Sequence, residues 1–119
     1  MQSFQAGDDL VFQLESGFGL LRVLAVDKLE TGEHIWHLKA YEELFLDVEF
    51  AGMALANPSS LSTRKAHLAL TDRAFERTPT AKLGNRPVVE EEFKPYFEWL
   101  NNKDKEVSDR SALLMLGLR

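Results

Sequence analysis

The chain has 119 residues, 14 Lys+Arg against 19 Asp+Glu for a formal net charge of −5, and 45% apolar positions. A chain of this length buries roughly two thirds of the surface its unfolded form exposes, enough for one domain over residues 1–119 without a metal or disulfide staple. Cysteine is absent, which excludes disulfides, thiolate nucleophiles and every Cys-ligated zinc or iron–sulfur centre.

The strand period opens the chain. After a Gly7-Asp8 turn, Leu10, Phe12 and Leu14 alternate with Val11, Gln13 and Glu15, which predicts a strand over 9–15. Ser16-Gly17 then turns into 18–27, where both faces are apolar (Phe18, Leu20, Leu24 and Val26 against Leu21, Val23 and Ala25), so this second strand is expected to be central. Leu29–Glu33 is a turn and 33–41 a third strand, completing an antiparallel meander.

The stretch 42–50 fits strand or helix spacing, and a strand from about Leu44 is the expectation. Asn57–Ser60 reads as loop and 65–71 as another strand, after which Thr71 or Asp72 caps one helical turn through Glu76. Pro95 suits a first helical position and Tyr96, Trp99 and Leu100 recur at i, i+3 and i+4, predicting a helix over about 94–102. The apolar 111–118 segment is expected to be a buried final strand. Together these elements predict an α+β, mostly β domain: a bent antiparallel sheet or an SH3-like, partly closed barrel with one helix near the C-terminal end.

Residues 1–60 hold three bases (Arg22, Lys28, Lys39) and ten acids, whereas 61–119 hold eleven bases and nine acids. That distribution lacks the clustered basic footprint of a phosphate-backbone binder, so no nucleic acid is expected, and a basic protein is the partner its acidic half suits. Residues 1–5 carry neither the basic nor the apolar region of a secretory signal, and the longest apolar run, 112–116, is far below the ~20 residues of a membrane helix. A cytoplasmic location without membrane attachment is the expectation.

Gly7-Asp8, the alternating strand to Leu14, Gly17-Phe18-Gly19 and Arg22-Val23-Leu24 together resemble the opening hairpin of a bacterial immunity-protein family of polymorphic toxin systems, the one numbered twenty-six. The resemblance covers about twenty of the 119 residues, and beyond Leu24 it extends only to the general order of strands and the late Pro-containing helix with Trp99. It implies a small β-rich domain that neutralises a cognate toxin by binding it. No functional residue carries over.

The residues themselves offer few catalytic patterns. Gly17-x-Gly19 lacks the third glycine and the following helix of a dinucleotide fingerprint, and no P-loop, Gly-x-Ser-x-Gly elbow or His-Glu-x-x-His segment occurs. His34-x-x-His37 has ligand spacing for a helix but points to opposite faces of a strand, leaving His34 and His67, with Glu33, Asp47 or Glu49, as the pairing that would have to meet across strands. Neither a metal nor another cofactor is therefore expected, and no enzyme activity.

Glu42, Glu43, Asp47 and Glu49 form the densest acidic group and, with Trp36 if exposed, the expected partner-binding surface. Arg22, within an apolar strand, requires an internal acid such as Asp72, Asp47 or Asp109, or faces a ligand from a barrel mouth. Arg73 and Arg110, each following an Asp, are the other ligand-binding candidates, since a guanidinium fork suits carboxylates and other anions. The leading expectation is a non-enzymatic protein-binding domain. A small metal-dependent or ligand-binding domain using His34, His67 and nearby carboxylates, and a homo-oligomeric module such as a homodimer paired through an apolar edge strand, stand as alternatives.

Overall fold

Two-residue spacing of apolar side chains folds residues 8–41 as a meander in the computed structural model, which describes residues 3–118. Strand β1 (Asp8–Leu14) turns through Glu15-Ser16 into β2 (Gly17–Lys28), and β3 (His34–Tyr41) returns beside it. A fourth strand, β4 (Thr63–Thr71), pairs with β3, and β5 (Thr80–Asn85) pairs with β1. The sheet is antiparallel in the order β4-β3-β2-β1-β5, with β2 central as its two apolar faces require. Its edge strands do not pair with each other, so the sheet is open and not closed into a barrel.

Helices cover both faces. On the first, Leu10, Phe12, Leu21, Val23, Trp36, Leu38, Leu68 and Leu70 pack beneath α2 (Asp72–Glu76) and α4 (Ala112–Leu116), which contribute Ala74, Phe75, Ala112 and Leu116. On the second, Val11, Leu20 and Tyr41 meet Ala51 of α1 (Val48–Leu55). The other helix on this face, α3 (Glu90–Leu100), has no fully buried residue. Among the described residues no helix is long and apolar enough to cross a membrane.

Four elements differ from the sequence reading. The expected strand from Leu44 is a single bridge, Phe45 to Phe18, followed by α1, because the Asp47 side chain accepts from Phe50 N at 2.9 Å and caps a helix there. The expected final strand is α4: Ser111 accepts from Leu114 N at its start, and Gly117 ends it at φ 69°. The third helix starts at Glu90 rather than Lys94, its first turn carrying Glu90, Glu91 and Glu92 at the positive end of the helix dipole, so Pro95 lies inside it. β5 was not foreseen at all. Its sequence, Thr-Ala-Lys-Leu-Gly-Asn, has no apolar alternation because it is an edge strand with little to bury.

Register shifts in β2–β3 and β3–β4 mark bulges. In the second, Ala66 and His67 of β4 stand opposite Lys39 of β3, a two-against-one arrangement that re-aims side chains locally.

Gly7 is fixed by both conformation and space: its φ is 91°, and a Cβ there would run into the Arg86 carbonyl oxygen. Gly32, at φ 89°, has open space around it. Gly32→Ala is expected to cost about 1 kcal/mol of backbone strain, and Gly7→Ala about 2–3 kcal/mol because a backbone clash is added. Urea unfolding of the two variants tests this, and equal losses would show that the approach of Gly7 to Arg86 is slack.

Candidate functional site

The second sheet face carries the polar residues that the apolar core does not explain. Arg22, on the central strand and 1% exposed, is surrounded by acceptors. Its Nε donates to Glu92 Oε2 at 2.7 Å and its Nη2 to Glu92 Oε1 at 3.1 Å, a two-pronged pair. Nη1 donates to Gly7 O at 3.0 Å and Asp9 Oδ1 at 3.3 Å, and Nη2 to the carbonyls of Arg86 and Pro87, each at 3.0 Å. Arg86 in turn holds Asp9 through Nε at 2.8 Å and Nη2 at 2.9 Å, and reaches Tyr41 Oη at 3.2 Å. Lys39 Nζ completes the group at 3.4 Å from Glu92.

Burial pushes the Glu92 carboxyl up, but the Arg22 guanidinium, the Val89 N–H and Lys39 together hold it below its ordinary range. Arg86 is held more firmly protonated than an ordinary arginine by its hydrogen bond to Asp9. Neither ion is free to recruit a ligand without breaking the other contacts. The network therefore anchors the start of α3 and the Gly7 turn to the sheet.

Four residues along the same face form a second chain. Tyr96 Oη on α3 donates to Asp27 Oδ1 at 2.7 Å, Asp27 Oδ2 lies 2.9 Å from His37 Nε2, and His37 Nδ1 lies 2.9 Å from His67 Nε2. The two imidazole rings lie near-parallel, 13° apart, with centroids 5.1 Å apart across that hydrogen bond, and Trp99 of α3 sets its ring edge-on to His37 at 4.6 Å. Burial pushes the His37 pKa down despite the nearby Asp27, and burial together with the neighbouring His37 pushes His67 down to about 4. Burial and the hydrogen bond to Asp27 push the Tyr96 phenol up to about 12. Burial thus favours the neutral form of both imidazoles.

His67 lines a cleft of about 560 Å³ at the outer edge of β4, together with Lys65, Trp99, Glu106, Ser108, Arg110 and Met115. Beside the cleft the segment after α3 runs parallel to β4 for a single bridge, Leu70–Ser108, with Ser108 N donating to Ala69 O at 2.8 Å and Thr71 N to Ser108 O at 3.1 Å.

The foreseen residues are dispersed. Trp36 is 3% exposed, stacked on Phe75 at 4.3 Å with Nε1 donating to Asp72 at 2.7 Å, so it belongs to the core and not to a partner surface. Arg22 is paired internally as one reading required, though with Glu92 and Asp9 rather than Asp72, Asp47 or Asp109, and it faces no barrel mouth. Arg73 is exposed and bound to Asp109, whereas Arg110 lines the cleft.

His34 lies beside Asp72, its Nδ1 3.3 Å from Oδ1, on the Trp36 side of the sheet, so it does not meet His67. Among the described residues, no three His, Asp or Glu side chains converge to hold a metal. The sequence reading weighs His37 only as a partner of His34 and Tyr96 only as part of a helix face, and does not single out Asp27. The separation of His37 from His67 by 30 residues, and of Tyr96 from Asp27 by 69, leaves no local signal for either pairing.

The acidic group falls in the loop before α1 and on its first turn. Glu42 pairs with Arg64 at 3.4 Å, Glu43 accepts from Ser62 N at 2.9 Å, and Asp47 caps the helix. Glu49 has no side-chain partner among the described residues. Around these acids Leu46 is 82% exposed, Met53 68% and Phe50 51%.

Set against protein-family models, curated proteins and solved structures, the chain matches none of them.

Removing Arg22 takes the two-pronged partner from the half-buried Glu92, which keeps only Lys39 and the Val89 N–H, and one contact from the buried Asp9, which Arg86 still holds. Arg22→Met is expected to lower stability by about 3–5 kcal/mol in urea unfolding, and the double variant Arg22→Met/Glu92→Met to recover part of that loss. A single-variant loss below about 1 kcal/mol would show that the network does not anchor α3.

Acid acts on the second chain in a defined direction. The folded pKa values of His37 and His67 lie below their unfolded value of 6.5, so the unfolded chain binds more protons and stability falls as pH drops from about 6.5 towards 4. Glu92, also depressed, extends the loss below pH 4.5. Thermal unfolding between pH 7 and 4 should show a falling Tm, with a shallower slope in His67→Gln. Identical slopes would mean that His67 is not coupled to folding.

Proposed function

We propose that the chain is a non-enzymatic, cytoplasmic protein-binding domain, immunity-like in action, whose loop 42–47 and α1 hold a basic protein partner. The observation that carries this reading is the exposure of Leu46, Phe50 and Met53 beside Glu49 and the Glu42–Glu43 pair. Scattered exposed apolar residues are ordinary, but several large ones on one short helix and its entry loop favour a surface that a partner desolvates. The surrounding acids favour a basic partner, for which they would raise the association rate while the apolar side chains supply residence time.

The structure refines how the acids contribute. Glu42, Glu43 and Asp47 are tied to Arg64, Ser62 and the α1 backbone, so they shape the loop as well as charge it. Glu49 is the acid best placed to pair with a partner's Lys or Arg. A toxin as the partner follows from the resemblance of residues 7–24 to the immunity family. The same apolar patch supports the homo-oligomeric alternative, in which a second copy covers it.

The test is a pull-down from the source cell's lysate at low and moderate salt, run beside Glu49→Lys and the pair Leu46→Ser/Phe50→Ser. Wild-type chain is expected to retain a basic protein in a salt-sensitive manner, with weaker retention by both variants at unchanged thermal stability. Equal retention by all three would overturn the surface assignment. A mass in light scattering that doubles with concentration, and reverts in Leu46→Ser/Phe50→Ser, would transfer the patch to self-association.

A further inference from the structure

The hydrogen-bond geometry, together with the neutral imidazoles that burial favours, sets the hydrogens of the Asp27–His37–His67 chain. A carboxylate only accepts, so His37 must present Nε2–H to Asp27 Oδ2. With His37 neutral, its Nδ1 is then a lone pair, and His67 must present Nε2–H to it. With His67 also neutral, its Nδ1 is left as a lone pair. No described residue bonds to that nitrogen, and His67 lines the cleft at the β4 edge.

The same cleft carries two cationic side chains, Lys65 and Arg110, neither with an ion-pair or hydrogen-bond partner for its side chain among the described residues, against one acid, Glu106. In a chain of net charge −5 this is a locally positive recess. Trp99 supplies an aromatic wall, its position fixed by Nε1 donating to Glu106 O at 2.8 Å. Acceptor, cations and aromatic wall thus line one cavity of about 560 Å³, within the size range of small-molecule sites.

We propose that this cleft binds a small aromatic carboxylate bearing an N–H or O–H donor, with its ring against Trp99, its carboxylate on Arg110 and Lys65, and its donor on His67 Nδ1. The relay gives the site its selectivity. As the ligand's donor leans its proton onto Nδ1, His67 Nε2–H leans onto His37 and His37 Nε2–H onto Asp27, so the developing positive charge is shared towards a carboxylate that Tyr96 holds in place. A ligand offering an acceptor instead would meet a lone pair and be rejected. The inference is independent of the α1 surface, since none of its residues lies in loop 42–47 or α1.

The test uses the full chain and a matched set of probes. Imidazole ¹⁵N spectra at pH 7 should show His67 protonated on Nε2 and bare on Nδ1; the opposite tautomer would overturn the proposal before any ligand is added. Calorimetric titration should then show binding of indole-3-carboxylate, with 1-methylindole-3-carboxylate, which lacks the donor, and indole-3-carboxamide, which lacks the charge, each weaker by about tenfold. Arg110→Gln should weaken the carboxylate and leave the carboxamide unchanged, and His67→Phe should abolish the preference for the N–H probe. Three probes of equal affinity, or no response of His67 and Trp99 resonances to millimolar indole-3-carboxylate, would refute the site.

Discussion

A guanidinium placed inside the sheet dictates much of what surrounds it. Arg22 lies on the central strand with 1% of its surface exposed, and an unpaired charge at such a depth would cost several kcal/mol. Its needs are met by groups from three distant parts of the chain: the Gly7 carbonyl and Asp9 near the start, the carbonyls of Arg86 and Pro87, and Glu92 on α3. Gly7 must take a positive φ to bring its carbonyl there, and Glu92 must lie in the first turn of α3, where it also accepts from Val89 N at 3.2 Å. One buried cation thus sets a turn, a crossing and a helix start.

The two faces of the sheet are consequently held by different forces. The first is closed mainly by apolar packing under α2 and α4, with Asp72 at the start of α2 receiving Trp36 and His34 N. The second is closed beneath α3 by ion pairs and hydrogen bonds, through Glu92 at one end and Tyr96 and Trp99 further along, with no α3 residue fully buried. Polar attachment of this kind gives direction and register more than cohesion, and it places α3 among the elements expected to open first when the fold fluctuates. The Asp27–His37–His67 chain lies within that attachment, so the state of the imidazoles and the seating of α3 are linked.

Several acidic residues in this protein organise turns, caps and side chains. Asp47 caps α1, Asp8 receives Gln5 N and Asn85, Asp72 receives His34 N and Trp36, and Asp109 holds Thr71 and Arg73. For Asp8, burial pushes the carboxyl up but Asn85, Gln5 N and Lys82 outweigh it, as Trp36 and His34 do for Asp72. Part of the acid-rich composition therefore reflects internal turns and caps, and the exposed apolar side chains of loop 42–47 and α1 become the more informative part of the proposed interface.

The alternation of Leu10, Phe12 and Leu14, the two apolar faces of β2, and the strand periods of β3 and β4 were legible in the sequence, because burial on a pleated surface imposes a local period of two. Caps legible in principle at Asp47 and Ser111 start α1 and α4, yet their apolar runs fit strand spacing equally well, and packing of Ala51, Ala112 and Leu116 on the sheet settles the helix together with the caps. β5 had no signal, since an edge strand is held by backbone hydrogen bonds that any residue but proline supplies. Arg22 announced by its surroundings that it needed a partner, but its choice of Glu92 and Asp9, and the meeting of Asp27, His37, His67 and Tyr96, were decided by tertiary structure alone. Charge and hydrogen-bond partners are selected by distance in space, and nothing in their sequence neighbourhoods encodes which strands and helices will bring them together.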